Sequence, residues 1–399
     1  MKRLLLALAV FSFFISYGAD AASKVRKKDI SSKALPIVAW YSIPPECSTI
    51  ERFQELKEAG FNISFSPTNS LSDALVQLDC AERVGIKILF NCPELKTETE
   101  NVVMQVRNHP ALYAYYLKDE PSIGEFPELA RWADQIRSLD NNHMIYLNLY
   151  PNYGVRDISY SEYVHSFIDL VHLPMLSFDY YPVTTDGIRE TWWNNLEIIS
   201  TEAADADLPF WAFALSTAHF SYPIPTLASL RLQFYTDLAY GAQGLQYFTY
   251  WCPTPETGDY HDAPVDRDGN KSPQYDLLKK MNAELQARAP VFLGAKVVLV
   301  CHTGETLPPG VTELTKLPEA VTYLNTRGKG AVVSVLENGR YCYLVLVNRS
   351  LNEDIDYEIA FSKRVDVIDN NGKTSIRLPR KKNTFRLGRG DCAIYRWKL

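Results

Sequence analysis

Tyr113-Ala114-Tyr115-Tyr116-Leu117-Lys118-Asp119-Glu120-Pro121 joins an aromatic run to a lysine, two acids and a proline. The aromatic half is typical of a β-strand, and the proline indicates where that strand ends. Placing two adjacent carboxyl groups at the end of such a strand costs free energy unless they have partners or a role. The stretch therefore predicts a strand that carries acidic groups to its exit, where chemistry can take place.

Runs of this kind recur along the chain, each followed by a longer stretch with helical spacing. The eight predicted strands are Ile37–Ser42, Asn62–Ser66, Ile86–Asn91, Leu112–Lys118, Met144–Tyr150, Met175–Tyr181, Phe210–Leu215 and Leu245–Trp251. Strands that alternate with helices require crossover connections and therefore a parallel sheet. Eight such units over roughly 255 residues match a closed (β/α)8 barrel, predicted here for residues 36–294. The alternative, a doubly wound open sheet, is disfavoured because no Gly-x-Gly-x-x-Gly follows the first strand.

Helical spacing stops near residue 295, and short alternating strands follow. They are predicted at Lys296–Val300, Ala331–Leu336, Tyr341–Val347, Asp356–Phe361, Val365–Asp369 and Cys392–Trp397. The turns Glu337-Asn338-Gly339 and Asn370-Asn371-Gly372 are strong hairpin signals. The sequence thus predicts an α/β barrel followed by an all-β sandwich over residues 295–399. This second unit either caps the barrel or binds carbohydrate.

The first 22 residues have the features of a signal peptide. Lys2-Arg3 precedes an apolar run from Leu4 to Ile15, and Ala19-Asp20-Ala21 fits a small-x-small cleavage site. A membrane anchor is the alternative, but the apolar run falls short of the ~20 residues that span a bilayer. We therefore expect an exported protein, periplasmic or extracellular and without a membrane span, whose residues 23–35 form a flexible leader.

Charge and cysteine content exclude several kinds of partner. The net charge of −6 is mild and the basic residues are scattered, so no nucleic-acid partner is expected. The seven cysteines form no C-x-x-C pair, and no zinc site is predicted. The run from Asp266 to Asn270 resembles a calcium loop but lacks the acid at position twelve, so a solvated turn is expected. No metal or cofactor is predicted, and the oligomeric state stays open.

Two acids at strand exits are the candidate catalytic residues. Barrel active sites form at the carboxyl ends of the strands, where Glu120 follows strand four and Asp179 follows strand six. Burial and a neighbouring charge raise the pKa of a carboxyl group, as a general acid for glycosidic cleavage requires. The alternatives are a helix-capping turn at Glu120 and a hydrogen-bonded strand-end residue at Asp179.

Aromatic and hydrogen-bonding residues at the strand exits are candidate substrate contacts, because flat rings suit the apolar faces of sugars. The predicted set is Lys118, Asp119, Trp40, Tyr41, Asn148, Tyr150, Tyr181, His219, Tyr250, Trp251 and Glu256. A core role is the alternative for any single aromatic residue. His219 shares its loop with Ser216, but an esterase is disfavoured because no Gly-x-Ser-x-Gly is present.

These stretches resemble the clan A glycoside hydrolases, most closely the family 42-like (β-galactosidase-type) barrel proteins of gut Bacteroidetes. The matching segments are 116–121, 178–182, 238–244, 247–251 and 268–271, within residues 36–290. The resemblance implies that Glu120 is the acid/base and that Asp119 replaces an asparagine that contacts the sugar 2-hydroxyl. It also aligns Trp251 with the tryptophan of strand eight in that clan.

The chain departs from the clan at strand seven. The clan has its nucleophilic glutamate there, whereas residues 210–216 contain no carboxylate. Asp179 or Glu256 replaces it, or the chemistry is inverting, or the protein binds sugar without cleaving it. We therefore predict an exported glycoside hydrolase acting on an oligosaccharide or polysaccharide by carboxylate acid/base chemistry. The alternative is a catalytically inactive carbohydrate-binding barrel.

Overall fold

The computed structural model describes residues 34–399, so the predicted signal peptide and most of the predicted leader lie outside the described residues. Leu35, the last residue of that leader, is buried in the hydrophobic core of the barrel. Its N–H donates to Oε1 of Gln286 at 3.1 Å, and its carbonyl accepts from Asn62. The described chain thus begins anchored to the barrel.

Eight parallel strands form the first sheet, and the predicted barrel is confirmed. They are β1 (Ile37–Trp40), β2 (Ile63–Ser64), β3 (Lys87–Phe90), β4 (Leu112–Asp119), β5 (Met144–Asn148), β6 (Leu176–Phe178), β9 (Phe210–Leu215) and β10 (Gly244–Phe248), with a small hairpin of β7 (Val183–Thr184) and β8 (Gly187–Ile188) after β6. The spatial order is β5-β4-β3-β2-β1-β10-β9-β6. The N–H of Leu149 donates to the carbonyl of Ser177 at 2.8 Å, which closes β5 onto β6.

Helices follow the barrel strands. They are α1 (Ile50–Glu58), α2 (Leu71–Val84), α3 (Glu94–Thr97), α4 (Thr99–Val106), α5 (Phe126–Leu139), α6 (Tyr160–Val171), α7 (Thr191–Asp205), α8 (Leu227–Ala239) and α9 (Pro273–Phe292). Local sequence explains their ends. Ser70 caps α2 by accepting the N–H of Asp73, and Gly85 ends that helix at a φ of 77°. Pro273 opens α9, where its missing N–H costs nothing.

An antiparallel sandwich follows, and this prediction is also confirmed. Its six-stranded sheet has the order β11-β13-β14-β19-β16-β17, and its three-stranded sheet the order β12-β15-β18. The strands are β11 (Lys296–His302), β12 (Val321–Asn325), β13 (Ala331–Asn338), β14 (Tyr341–Asn348), β15 (Ile355–Phe361), β16 (Val365–Ile368), β17 (Thr374–Leu378), β18 (Asn383–Leu387) and β19 (Cys392–Lys398). The sequence did not indicate β12, β17 and β18, because each is short and mostly polar or partly exposed.

Buried polar contacts fasten the sandwich to the barrel. The Arg288 side chain of α9 is 2% exposed and donates to the Asp369 carbonyl and to Oδ1 of Asn370, at 3.1 and 2.5 Å. Ser334 of β13 donates to the Ala239 carbonyl at the end of α8. None of the helices between residues 34 and 399 is both long and apolar enough to cross a bilayer.

Candidate active site

A cavity of about 740 Å³ lies at the carboxyl ends of the barrel strands. Its size falls within the usual range of small-molecule sites. Among the predicted site residues, its lining includes Trp40, Tyr41, Asp119, Glu120, Asn148, Asp179, Tyr181, Trp251 and Glu256. The closed barrel explains the convergence, because it brings the exits of β1, β4, β5, β6 and β10 around one opening.

Three carboxyl groups meet around Asn148 at the end of β5. Nδ2 of Asn148 donates to Oδ1 of Asp119 at 3.1 Å and to Oδ1 of Asp179 at 2.9 Å. The carboxyl groups of Glu120 and Asp179 lie close enough for each to act on the pKa of the other. Two carboxyl groups this close can hydrogen-bond to each other only while one of them carries a proton. Asp119 and Asp179 are thus fixed by one amide, and Glu120 lies beside Asp179.

A buried polar chain beneath the acids sets the orientation of that amide. Ser177 donates to Oδ1 of Asn148 at 2.8 Å, so Nδ2 faces the two aspartates. Gln246 donates to Ser177 at 2.8 Å, and the Tyr146 hydroxyl contacts both Ser177 and Gln246. All polar atoms of the Asn148 side chain are therefore occupied. Although Asn148 lines the cavity, the predicted substrate contact gives way to a positioning role, because the amide has no free donor.

Burial raises the pKa of all three acids, and charge repulsion raises those of Glu120 and Asp179 further. Desolvation, followed by the charge of Asp119, raises the pKa of Glu120 to about 7, while the hydrogen bond from Asp179 opposes the rise. The pKa of the fully buried Asp179 lies well above its usual range, because of desolvation and then the Glu120 and Asp119 charges. Burial also raises the pKa of Asp119 against the opposing bond from Asn148. The cluster therefore binds protons at pH values where free carboxylates are ionised.

Strained backbone positions two residues of the cavity. Glu120 has a φ of 45° and Tyr41 a φ of 43°, a region that non-glycine residues rarely adopt. The N–H of Glu120 donates to the Asn148 carbonyl at 2.9 Å, which holds it in this conformation. Such strain costs on the order of 1–3 kcal/mol and clusters at functional sites. It also explains why β1 ends at Trp40, two residues before its predicted end, and why β4 ends at Asp119.

Aromatic rings line the mouth of the cavity. Tyr181 and Phe248 pack with ring centroids 5.5 Å apart, and Tyr41 meets the Phe248 ring edge-on at 5.7 Å. Trp251 carries the Arg52 guanidinium 5.5 Å from its ring centre. Trp40 lies deeper and packs on Phe65. Flat apolar walls around a polar floor suit a ligand with alternating apolar and polar faces.

Four predicted site residues lie outside this lining. Lys118 points away and pairs with Glu125. Tyr150 packs towards Tyr163 on α6.

Tyr250 follows the end of β10 and is buried in the core against Phe61. His219 is buried, stacks on Tyr260 and bonds the Thr217 carbonyl through Nδ1. Burial lowers the pKa of His219. We therefore assign direct substrate contact to none of these four residues.

Sequence reasoning missed several lining residues, among them Glu46, Phe213, Phe248, Tyr260 and Arg267. Phe213 lies in a predicted strand two residues before its end at Leu215, so period-two counting from that end would have marked it. Phe248 also lies in a predicted strand, but counting in twos from Trp251 selects Thr249 and Tyr247 instead. The other three lie in loops and carry no periodic signal. Arg267 is braced by the carbonyls of Pro253 and Tyr260, both at 2.7 Å.

The exit of β9 provides no acid. Ser216 follows it and donates to the Thr249 carbonyl at 2.7 Å. Glu46 and Glu256 line the rim instead, and both are exposed. The pKa of Glu256 is lowered by a hydrogen bond from its own backbone N–H and then by one from the Thr254 side chain, so this rim acid is ionised at neutral pH. The pKa of Glu256 on the rim is therefore shifted in the opposite direction to the pKa values of the inner acids.

Within residues 34–399, one group of side chains has the spacing of a metal site, and it lies apart from the cavity. It consists of Asp79, Glu82 and His109. Nδ1 of His109 accepts the Ala111 N–H, so its Nε2 faces Asp79 as a donor. This arrangement is a surface hydrogen-bond cluster.

Comparison with solved structures finds this fold in several glycoside hydrolases. The β-galactosidase of Bacillus circulans sp. alkalophilus superposes with a TM-score of 0.59 at 9% identity, covering 92% of this chain and 99% of that one. A family 39 glycoside hydrolase of the gut symbiont Bacteroides cellulosilyticus WH2 gives 0.54 at 12% identity, covering 91% and 81%. The family 51 α-L-arabinofuranosidase AbfB of Bifidobacterium longum gives 0.50 at 11%, covering 94% and 98%.

The chain therefore has a glycosidase-like fold. At these identities the likeness concerns the fold alone. No protein-family model matches the sequence, and no curated protein matches it either.

Proposed function

We propose that this protein is an exported glycoside hydrolase that cleaves O-glycosidic bonds with the Glu120/Asp179 pair. The observation that carries the proposal is the placement of these two carboxyl groups next to each other in an aromatic-walled cavity, where burial and mutual repulsion raise the pKa of both. An acid with a pKa near the working pH transfers a proton most effectively. The fold of the neighbouring glycosidases supports the same conclusion.

Glu120 acts as the general acid in this proposal. It is less buried than Asp179, and its pKa of about 7 keeps a proton available for the departing sugar oxygen. Asp179 is the second carboxylate, held by Asn148. The two acids titrate as a coupled pair, and the reactive form carries the proton on Glu120 and leaves Asp179 ionised. Asp119 contributes negative charge that favours the positive oxocarbenium-like transition state. Trp40, Tyr41, Tyr181 and Trp251 bind the rings of the substrate.

The contact between the two acids bears on stereochemistry. Inverting enzymes keep their carboxyl groups roughly 6.5–9.5 Å apart to admit a water, and retaining enzymes about 5–5.5 Å apart. Glu120 and Asp179 are close enough to act on each other's pKa, which is nearer to the retaining spacing than to the inverting one. We therefore propose a retaining reaction with Asp179 as nucleophile. A family 42-like specificity is part of the proposal and rests on the sequence stretches around Glu120 and Trp251.

A second candidate function is carbohydrate binding without cleavage. The exit of β9, which ends in Leu215 and Ser216, favours it because no carboxylate stands there. Both candidates predict binding of an oligosaccharide in the same cavity. Only the hydrolase is expected to cleave the bound oligosaccharide, so turnover distinguishes the two candidates.

The test is hydrolysis of an oligosaccharide panel by the secreted form of the chain. We expect reducing ends to appear with wild type and Glu120→Gln to lower the rate by at least ~100-fold. Asp179→Asn is expected to reduce it similarly, and Glu256→Gln to leave it within about threefold. Glu128→Gln, an exposed acid on α5, is the control. Saturable binding with no turnover by wild type would contradict the proposed hydrolase and support the second candidate, a carbohydrate-binding protein.

A further inference from the structure

A second cleft lies where the barrel and the sandwich meet. It encloses about 550 Å³ between the β7–β8 hairpin, residues 183–188, and a sandwich surface formed by Gly330 and residues 349–352. It shares no lining residue with the cavity that contains Glu120. Its one cationic side chain is Arg349, directly after β14, and its one carboxylate is Asp186 at the hairpin tip.

Backbone carbonyls and two glycines surround the Arg349 guanidinium closely. Nη2 donates to the Thr303 carbonyl at 2.7 Å and to the Thr306 carbonyl at 3.2 Å. A Cβ added to Gly330 would lie 2.6 Å from Nη2, and one added to Gly304 would lie 3.0 Å from it. Only residues without a side chain leave room for the guanidinium there. Its plane is therefore fixed before any ligand arrives.

Arg349 nevertheless has no anionic partner. No carboxylate of residues 34–399 lies within 4.0 Å of its nitrogens, and its Nε is buried without an acceptor. Burial lowers its pKa to about 10, with weaker opposing effects from Tyr240 and Glu190. The adjacent His302 is neutral because burial, and then the Arg349 charge, lower its pKa to about 3. A fixed, partly desolvated positive charge thus faces a cleft.

Ser350 offers a second donor in the same lining. Its Oγ accepts the N–H groups of Asn352 and Glu353 at 3.1 and 3.2 Å, so its own hydrogen is available for a ligand. Guanidinium and hydroxyl donors side by side bind oxyanions well. We propose that this cleft binds a carboxylate or sulfate group through Arg349 and Ser350, as an accessory site on the flank of the barrel.

Calorimetric titration of the secreted form of the chain tests this site. The probes are inorganic sulfate, glucuronic acid and glucose 6-sulfate, with glucose as the neutral control. We expect the three anions to bind and glucose to bind at least ~tenfold more weakly. Equal affinity for inorganic sulfate and glucose 6-sulfate would identify a free anion as the ligand. Tighter binding of the two acidic sugars would identify an acidic glycan.

Variants locate the binding. Arg349→Gln is expected to weaken binding at least ~tenfold, because it removes charge-assisted bonds. Asp186→Asn removes the repelling carboxylate and is expected to tighten anion binding roughly two- to fivefold. Thr185→Glu adds such a carboxylate and is expected to weaken anion binding by a similar factor. Asp205→Asn, an exposed acid outside the cleft, is the matched control. Arg267→Gln, in the main cavity, is expected to leave the affinity for inorganic sulfate unchanged.

The hairpin substitutions keep the test decisive if Arg349→Gln does not fold. Anion affinities that are unchanged in Asp186→Asn and Thr185→Glu would overturn the proposal. So would anions that bind no better than glucose, or a loss of binding confined to Arg267→Gln. None of these results bears on the hydrolysis assay, so this site and the proposed function fail separately.

Discussion

The protonation of Glu120 links the site to the stability of the whole protein. Its pKa rises from 4.5 to about 7 on folding, so the native state binds more protons than the unfolded chain between these values. Stability is therefore lost as the pH rises through this range. The same desolvation that makes Glu120 a suitable acid destabilises the fold at neutral pH.

We expect Glu120→Gln to melt at a higher temperature than wild type at pH 8. The difference should shrink towards zero at pH 4, where both forms are uncharged at this position. Thermal unfolding followed by circular dichroism across this range measures it. A constant difference at all pH values would contradict the raised pKa.

In the proposed reaction, Ser177 is a positioning residue that acts through Asn148. Ser177→Ala removes the donor to Oδ1 of Asn148 and the partner of Tyr146 and Gln246. We expect kcat to fall about tenfold with KM nearly unchanged, and stability to fall by about 1–3 kcal/mol. The pH–rate profile should shift as well, because Asn148 no longer holds the two aspartates. Ser138→Ala on the exposed face of α5 is the control, and equal kinetics in both variants would contradict the positioning role.

At the scale of elements, close packing at the start of β10 depends on a glycine. A Cβ at Gly244 would lie 2.5 Å from the Trp211 ring inside the barrel. We expect Gly244→Ala to destabilise the protein by roughly 1–3 kcal/mol, since the buried ring has little room to move. Gly124→Ala, with no atom within 4 Å of its Cβ, should stay within about 0.5 kcal/mol. Urea unfolding measures both, and similar midpoints would contradict the packing argument.

Elements also show what the sequence could predict. The barrel strands are apolar runs of the expected period, so all eight were predicted within a few residues. The strands β17 and β18 are largely exposed edge strands, with Arg377 and Arg386 on their surfaces, and periodicity gives no signal for them. In the site, strand-end acids such as Glu120 were predictable from position. Arg267 and Tyr260 were not, because folded loops bring them to the cavity.

At the scale of the whole molecule, Glu284 joins the barrel to the sandwich. It accepts from Arg231 at 2.6 Å and from Tyr235 at 2.6 Å, and contacts Asn370 of the sandwich. Glu284→Ala leaves the Arg231 charge partly buried without this partner, and we expect a loss of about 3–5 kcal/mol. Arg386→Ala breaks a surface pair with Asp354 and should cost under ~1 kcal/mol. Equal effects in urea unfolding would show that Glu284 does not couple the two units.

The central claim concerns the proton on Glu120, and the leaving group tests it most directly. For a sugar that wild type hydrolyses, rates are compared between an unactivated glycoside and its dinitrophenyl glycoside, whose leaving group needs no acid. We predict that Glu120→Gln slows the unactivated glycoside at least ~100-fold and largely spares the dinitrophenyl one. Asp179→Asn should abolish both. Wild-type rates for Glu120→Gln on the unactivated glycoside would contradict the account.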